Sequence, residues 1–294
     1  MDWQGRLISI FVYVCKQYED SLWTYGQRLS PNERPAFSDA EVLTIYLWGV
    51  LRGHQDVHAI YTYTQDHLAA WFPRLPAYVT YVQRLNRLSE VFVPLVGRMQ
   101  QDLPQLEGED LIRLIDSMPI MLAKAQRSGR AKVAPALANR GYNATKKTYY
   151  YGVKLHILAF RRPGHLPLPD YLGLTPASEA DITVLKAIAE DIHGTPVYAD
   201  KAYIDAALSE LLRQQQAPLT TPVKKKKGQP ELRLFQAAFS TLVSQVRQPI
   251  ESLFNWLHEK TGIQLASKVR SSRGLIVHVF GKIAAALLLL LPNF

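Results

Sequence analysis

Apolar residues recur at helical spacing from Leu7 to Leu22, so the first stretch of the chain is predicted to be a helix. Ser38-Asp-Ala-Glu41 has the spacing of a capping box and opens the run Val42, Leu43, Ile45, Tyr46, Trp48, Gly49 as a second helix. Two more helices are predicted at about 55–71 and 78–103. In the last of these, Arg84, Arg87 and Arg98 supply positive charge, and Tyr78, Thr80 and Tyr81 precede it as in a helix-turn-helix turn. Residues 1–107 are therefore read as an all-helical N-terminal domain, either DNA-contacting or dimerising.

From residue 108 the periodicity changes, and strands interleave with helices through 108–294, the pattern of a mixed α/β domain. Strands are predicted at 110–122, 149–160, near 169–176, at 195–200 and near 218–223, with helices at 181–191 and 203–215. A long helix is predicted from about 231 to 260. Its apolar residues Leu232, Phe235, Phe239, Leu242, Val246, Ile250, Leu253 and Leu257 step by threes and fours, the stripe of a helix packed on a sheet. Pro249 lies within it and is expected to kink or restart the helix. The closing LIVHVFGKIAAALLLLLPNF contains His278, Gly281 and Lys282, and its uninterrupted apolar part falls short of the roughly 20 residues of a membrane span. A buried core helix is the expectation there.

Composition sharpens this picture. The 294 residues carry a formal charge of +9, with pI near 9.5. Residues 1–110 hold 9 Lys and Arg against 13 Asp and Glu, whereas the remainder holds 25 against 12. The basic field thus belongs to the C-terminal two-thirds, which points to a polyanionic partner. The single cysteine, Cys15, excludes an internal disulfide framework and a thiolate zinc cluster. The opening MDWQGRLISIFVYVCKQYED shows no basic leader and no small-residue cleavage site, so a signal peptide is not expected and the cytoplasm is. No P-loop and no glycine-rich dinucleotide fingerprint is present, so no nucleotide cofactor is expected.

Three acids stand out. Asp116 follows Leu111, Ile112, Leu114 and Ile115, and a charge at the end of so apolar a strand must be paired, metal-bound or solvated. Asp200 repeats the arrangement after Pro196-Val-Tyr-Ala, where an ordinary helix cap is the plain alternative. Glu251 lies beside the apolar stripe of the long helix, one turn after Arg247, where a surface Glu–Arg pair is the plain alternative. Their combination in one basic α/β domain is what carries weight.

Several ordered motifs then bear a resemblance. They are Leu114-Ile-Asp116-Ser-Met-Pro119, Arg140-Gly-Tyr-Asn-Ala-Thr-Lys-Lys-Thr-Tyr-Tyr-Tyr-Gly-Val-Lys-Leu-His156, Tyr198-Ala-Asp-Lys-Ala-Tyr203, Arg247-Gln-Pro-Ile-Glu251-Ser-Leu-Phe254 and Lys268-Val-Arg-Ser-Ser-Arg-Gly-Leu275. With SDAEVLTIYLWG at 38–49, they resemble the DDE transposases of bacterial insertion sequences, closest to the insertion sequence nine-eight-two family, along nearly the whole chain. The resemblance implies a ribonuclease-H-like mixed sheet flanked by helices, with Asp116 on the first strand, Asp200 on the fourth and Glu251 on a late helix. It also implies two Mg²⁺ or Mn²⁺ ions on those three carboxylates, since hard oxygen ligands suit such cations and acids so close together repel without them. The chemistry implied is hydrolysis that frees a 3′-hydroxyl at the element's terminal inverted repeat, then attack of that hydroxyl on target DNA, by a homodimer on double-stranded DNA. The chain departs from the related Y-R-E-K signature, because Ser244 and His258 stand where a tyrosine and a lysine would.

Around this centre, residues 123–149 hold Lys124, Arg127, Arg130, Lys132, Arg140, Lys146 and Lys147 without one acid, interleaved with Tyr142 and Tyr149, and read as a phosphate-contacting loop. On the 149–160 strand, Lys154 and His156 share a face by alternation, and His156 is a candidate to approach the scissile phosphate. Lys201, Lys224, Lys225, Lys226, Lys227, Arg247, Lys268, Arg270 and Arg273 are further candidate DNA contacts. Two other readings stand beside this one: a metal-dependent nuclease or resolvase of the same fold, and a catalytically decayed DNA-binding protein.

Overall fold

The capping box forms as its spacing requires. The Ser38 hydroxyl accepts from the Glu41 backbone N–H at 3.1 Å, and the Glu41 carboxylate accepts from the Ser38 backbone. The structure is a computed structural model that describes residues 2–27, 35–104, 111–144, 146–225, 228–229 and 231–292. The chain divides into two compact units. One comprises Met1–Pro104, Val133–Ala136 and Leu257–Phe294, and the other Gln105–Lys132 and Leu137–Trp256.

The first unit contains α1 (Trp3–Asp20), α2 (Asp39–Leu51), α3 (Val57–His67), α4 (Tyr78–Arg87) and α5 (Ser89–Gln101). The single helix expected over 78–103 is thus two, separated by Leu88, whose backbone sits at φ −79°, ψ 9°, outside helical values. Asp39, on the first turn of α2, is buried and forms ion pairs with Arg84 at 2.8 Å and Arg87 at 2.6 Å, so two arginines of the segment expected to contact DNA or to dimerise are engaged with an internal carboxylate. The C-terminal segment joins this unit, where the sequence had grouped it with the sheet. It runs as α10 (Ser272–Ile276), a π-helical turn at Val277–Gly281 and α11 (Lys282–Leu288), and α11 packs on α2 and α5. Apolarity explains the placement. Every residue of α11 is buried, and α2 is buried from Val42 through Val50, so each covers a helix that has no solvent face of its own. Gly281 makes the close approach possible: a Cβ there would stand 2.5 Å from Cε1 of the Tyr46 ring. Among the described residues no helix is long and apolar enough to cross a membrane.

The second unit is built on a six-stranded sheet: β1 (Arg113–Ala123), β2 (Asn139–Asn143), β3 (Thr148–Phe160), β4 (Leu168–Pro176), β5 (Val197–Tyr198) and β6 (Leu219–Thr220). One edge of β3 pairs antiparallel with β1. Its other edge pairs antiparallel with β2 over Thr148–Gly152 and with β4 over Val153–Phe160. β1 pairs parallel with β5, and β5 with β6. The helices are α6 (Ala125–Ser128), α7 (Asp181–Ile188), α8 (Ala206–Gln214) and α9 (Leu234–Thr261), of which α9 enters the first unit at Leu257. α7 and α8 cover one face of β1 and β5 through a core of Ile115, Leu185, Ile188, Val197, Tyr203, Leu208 and Leu212.

Two expectations for α9 are corrected. The helix continues across Pro249 without restarting, since proline removes only one backbone donor and Ile250 and Leu253 anchor the following turn in the core. The apolar stripe is buried only from Ile250 onward, with Val246 half-buried, while Phe235 is 81% and Leu242 61% exposed. Helical periodicity reports which residues share a face; it does not report where along the helix the covering sheet stops. The segment 123–149 is likewise not one loop, because α6 and the β2–β3 hairpin lie within it.

Candidate active site

The parallel pairing of β1 and β5 sets the site. Leu114 lies opposite Tyr198. Two residues further along each chain, where alternation returns the side chain to the same face, stand Asp116 and Asp200. The β5 segment stays extended through Asp200, at φ −82°, ψ −178°, although the ladder has ended. The two acids therefore occupy equivalent steps on adjacent strands, which in a sheet lie about 4.8 Å apart. Asp116 is not at the strand's end, as the sequence suggested. β1 runs on to Ala123, and what ends is its parallel neighbour.

Each carboxylate is fixed by the backbone. Oδ1 of Asp116 accepts from the Ser117 N–H at 2.8 Å, and Oδ1 of Asp200 accepts from the Ala202 N–H at 2.6 Å, capping the 3₁₀ turn Lys201–Tyr203. Oδ2 of Asp116 receives Nη2 of Arg247 at 2.7 Å. Burial pushes the Asp116 carboxyl up to about 6. Arg247 and the Ser117 N–H pull it down, and the charges of Asp200 and Asp181 push it further up.

Asp181, at the start of α7, is an acid that the sequence reading did not single out. Its Oδ1 accepts from the Ser117 hydroxyl at 2.9 Å and from Nζ of Lys154 at 2.9 Å, and Lys154 also donates to the Glu179 carbonyl at 2.7 Å. An acid in a helix's first turn is ordinary, so nothing in the local pattern marks it. Only the sheet register brings Ser117 and Lys154 to it.

The structure gathers some of the remaining candidates and disperses others. Lys154 serves the carboxylate cluster through Asp181. His156 is 0% exposed; its Nε2 hydrogen-bonds Thr175 Oγ1 at 2.8 Å, and burial lowers its pKa to about 4, which keeps it neutral. Glu251 is exposed on α9, one turn after Arg247. Among the described residues no three His, Cys, Asp or Glu side chains lie close enough to hold a metal ion. Lys124, Arg127, Arg130, Lys132, Arg140, Lys146 and Lys147 are all exposed. On the β2–β3 hairpin, Tyr142 pairs with Tyr149 with ring centroids 5.0 Å apart, and the Arg140 guanidinium lies 4.1 Å from the Tyr149 ring centroid. Lys201, Lys224 and Lys225 are exposed, and Lys226 and Lys227 lie outside the described residues. Lys268, Arg270 and Arg273 are exposed on the first unit, where Arg270 donates to the carbonyls of Ser267 and Val269.

The donor set at Asp116 and Asp200 fits a hard divalent cation. The half-buried Asp116 carboxylate, its proton affinity raised by burial and by the charges of Asp200 and Asp181, is stabilised by added positive charge, and at present the Arg247 guanidinium supplies it.

The comparison with protein families decides the broader identity. The family described as Transposase DDE domain matches residues 107–272, more than half of the chain. The chain belongs to this family. No curated protein and no solved structure matches it. The matched span contains Asp116, Asp181, Asp200 and Arg247, the cluster described above, and also Glu251, which lies exposed on α9.

Proposed function

We propose that this DDE transposase hydrolyses phosphodiester bonds at the terminal inverted repeats of a mobile element and joins the freed 3′-hydroxyls to target DNA, using Asp116, Asp200 and Glu251 with two Mg²⁺ or Mn²⁺ ions. The observation that supports the reading is the parallel register of Leu114 with Tyr198, two residues before Asp116 and Asp200. The sheet is of the ribonuclease-H-like kind: the order β4-β3-β1-β5-β6, with β3 antiparallel to its neighbours and β1, β5 and β6 parallel, supports this.

Cations bound there would lower the pKa of an attacking water or hydroxyl and neutralise charge at the leaving oxygen. The chain's own residues do the rest. The N–H groups of Ser117 and Ala202 fix one oxygen of each aspartate, and the second oxygen of Asp116 holds Arg247. Arg247 neutralises Asp116, and a cation bound in its place would free the guanidinium to take a DNA phosphate. Glu251, one turn after Arg247 on α9, would complete the carboxylate set. The exposed Lys124–Lys147 segment, with Tyr142 and Tyr149, supplies phosphate contacts and a stacking surface. The helical unit serves as the dimerising or end-binding module in a homodimer on DNA.

The test is an assay of purified protein on a labelled element end with Mg²⁺ or Mn²⁺. The parent should cleave and then join the end to a target duplex, and Asp116→Asn should bind the DNA but form neither product. Cleavage by Asp116→Asn at the parent's rate would remove the proposal, and cleavage without joining by the parent would make the protein a nuclease.

A further inference from the structure

Three residues after Asp200, a buried hydroxyl stands without a hydrogen bond. Tyr203, the last residue of the 3₁₀ turn that Asp200 caps, is 0% exposed, with its ring in the core beneath β1 and β5 among Ile115, Ala199 and Leu185. Its hydroxyl has no hydrogen-bond partner among the described residues. The surroundings of that hydroxyl are those of the site. Burial raises the phenol pKa far above its ordinary value, the carboxylates of Asp116, Asp181 and Asp200 raise it further, and Arg247 opposes them.

A buried hydroxyl left unpaired is destabilising, and phenylalanine would fill the same space without that cost. A tyrosine here is explained by an acceptor that arrives with a ligand. On the reading given under Proposed function, the ligand is a divalent cation with its coordinated waters. The water oxygens can accept a hydrogen bond, and the hydroxyl already lies in the field of the acids that would hold the cation.

We propose that Tyr203 is a positioning residue of the cation site, its hydroxyl donating a hydrogen bond to an oxygen in the coordination sphere of a divalent ion held by Asp116 and Asp200. Hydrogen bonds of this outer kind fix the orientation of the inner ligands, and their loss typically weakens metal affinity about 10–100-fold. The position follows from the chain itself. Three residues of 3₁₀ turn after a strand-end aspartate carry the side chain back beneath the same strand ends, so the acid and the phenol are delivered together.

The experiment is calorimetric titration of Mn²⁺ into the full-length parent, Tyr203→Phe and Asp116→Asn, with a thermal melt of each without metal. Tyr203→Phe removes one oxygen, so its metal-free melting temperature should equal or exceed the parent's. Its Mn²⁺ dissociation constant should rise about 10–100-fold, and Asp116→Asn should show no site. Equal Mn²⁺ affinity in the parent and Tyr203→Phe would overturn this inference and leave the cation reading standing. Absence of Mn²⁺ binding to the parent would overturn the cation reading itself. A lower metal-free melting temperature for Tyr203→Phe would show that the hydroxyl already has a partner, and would overturn the inference as well.

Discussion

Lys282 is 1% exposed on α11, with Nζ donating to the Gln55 carbonyl at 3.1 Å. Burial lowers its pKa from 10.5 to about 8, against a weaker opposing pull from Asp56. That difference corresponds to about 3 kcal/mol by which the folded unit disfavours the charged form. The sign follows from proton counting. The unfolded lysine holds its proton up to about pH 10.5 and the folded one only to about pH 8, so between these values the unfolded state binds more protons and stability rises with pH. Below pH 8 both states are protonated and the full penalty persists. Lys282→Met removes the charge and keeps an unbranched chain in the cavity. The variant is therefore expected to exceed the parent in stability by up to about 3 kcal/mol at pH 7, with the gain shrinking to nothing as pH rises from about 8 to 10.5. Urea unfolding at several pH values, followed by tryptophan fluorescence, measures this, because Trp3, Trp23, Trp48 and Trp71 all lie in this unit. The difference between the two proteins cancels the other lysines and tyrosines that titrate in the window. Parallel stability curves would refute the argument, since they would mean that Lys282 keeps its ordinary proton affinity when folded.

Asp39→Ala should destabilise the first unit by about 3–5 kcal/mol in urea unfolding, because it leaves Arg84 and Arg87, both largely buried, without their shared partner. Gly281→Ala should cost about 1–3 kcal/mol in the same measurement, as the new Cβ must displace the Tyr46 ring. Replacing Lys146 and Lys147 together with alanine should reduce the slope of log affinity against log salt by about 1 for each phosphate no longer neutralised, measured by fluorescence anisotropy on duplex DNA, and an unchanged slope would take the hairpin end out of the interface.

The sequence revealed most where the covering surface repeats with the period of the element. The helical stripes of α1 and α2, the apolar runs of β1 and β3 and the capping box at Ser38 are local patterns, and all form where they were expected. Leu88 was less legible, because the backbone turn that splits α4 from α5 interrupts neither the apolar spacing nor the arginines. The same limit applies at the site. Asp116 and Asp200 are visible as acids ending apolar runs, but their equivalence comes from the Leu114–Tyr198 register, which no local pattern encodes. Asp181 and Tyr203 enter through long-range pairing and were legible only as a first-turn acid and as the end of a motif. Arg84 and Arg87 show the reverse, since positive charge that suited either a DNA-contacting or a dimerising helix is paired with a carboxylate inside its own unit.

Because α11 lies against α2 and α5, the first unit is closed by residues made more than 200 positions after α2. At 5–20 residues per second, a ribosome takes on the order of 10–50 s to cover that gap, during which the apolar flanks of α2 wait without their mate. The sheet emerges whole inside this interval and can fold first. A message cut short before Lys282 would therefore yield a protein with a finished sheet and an unsealed helical unit, a product prone to clumping and open to proteases.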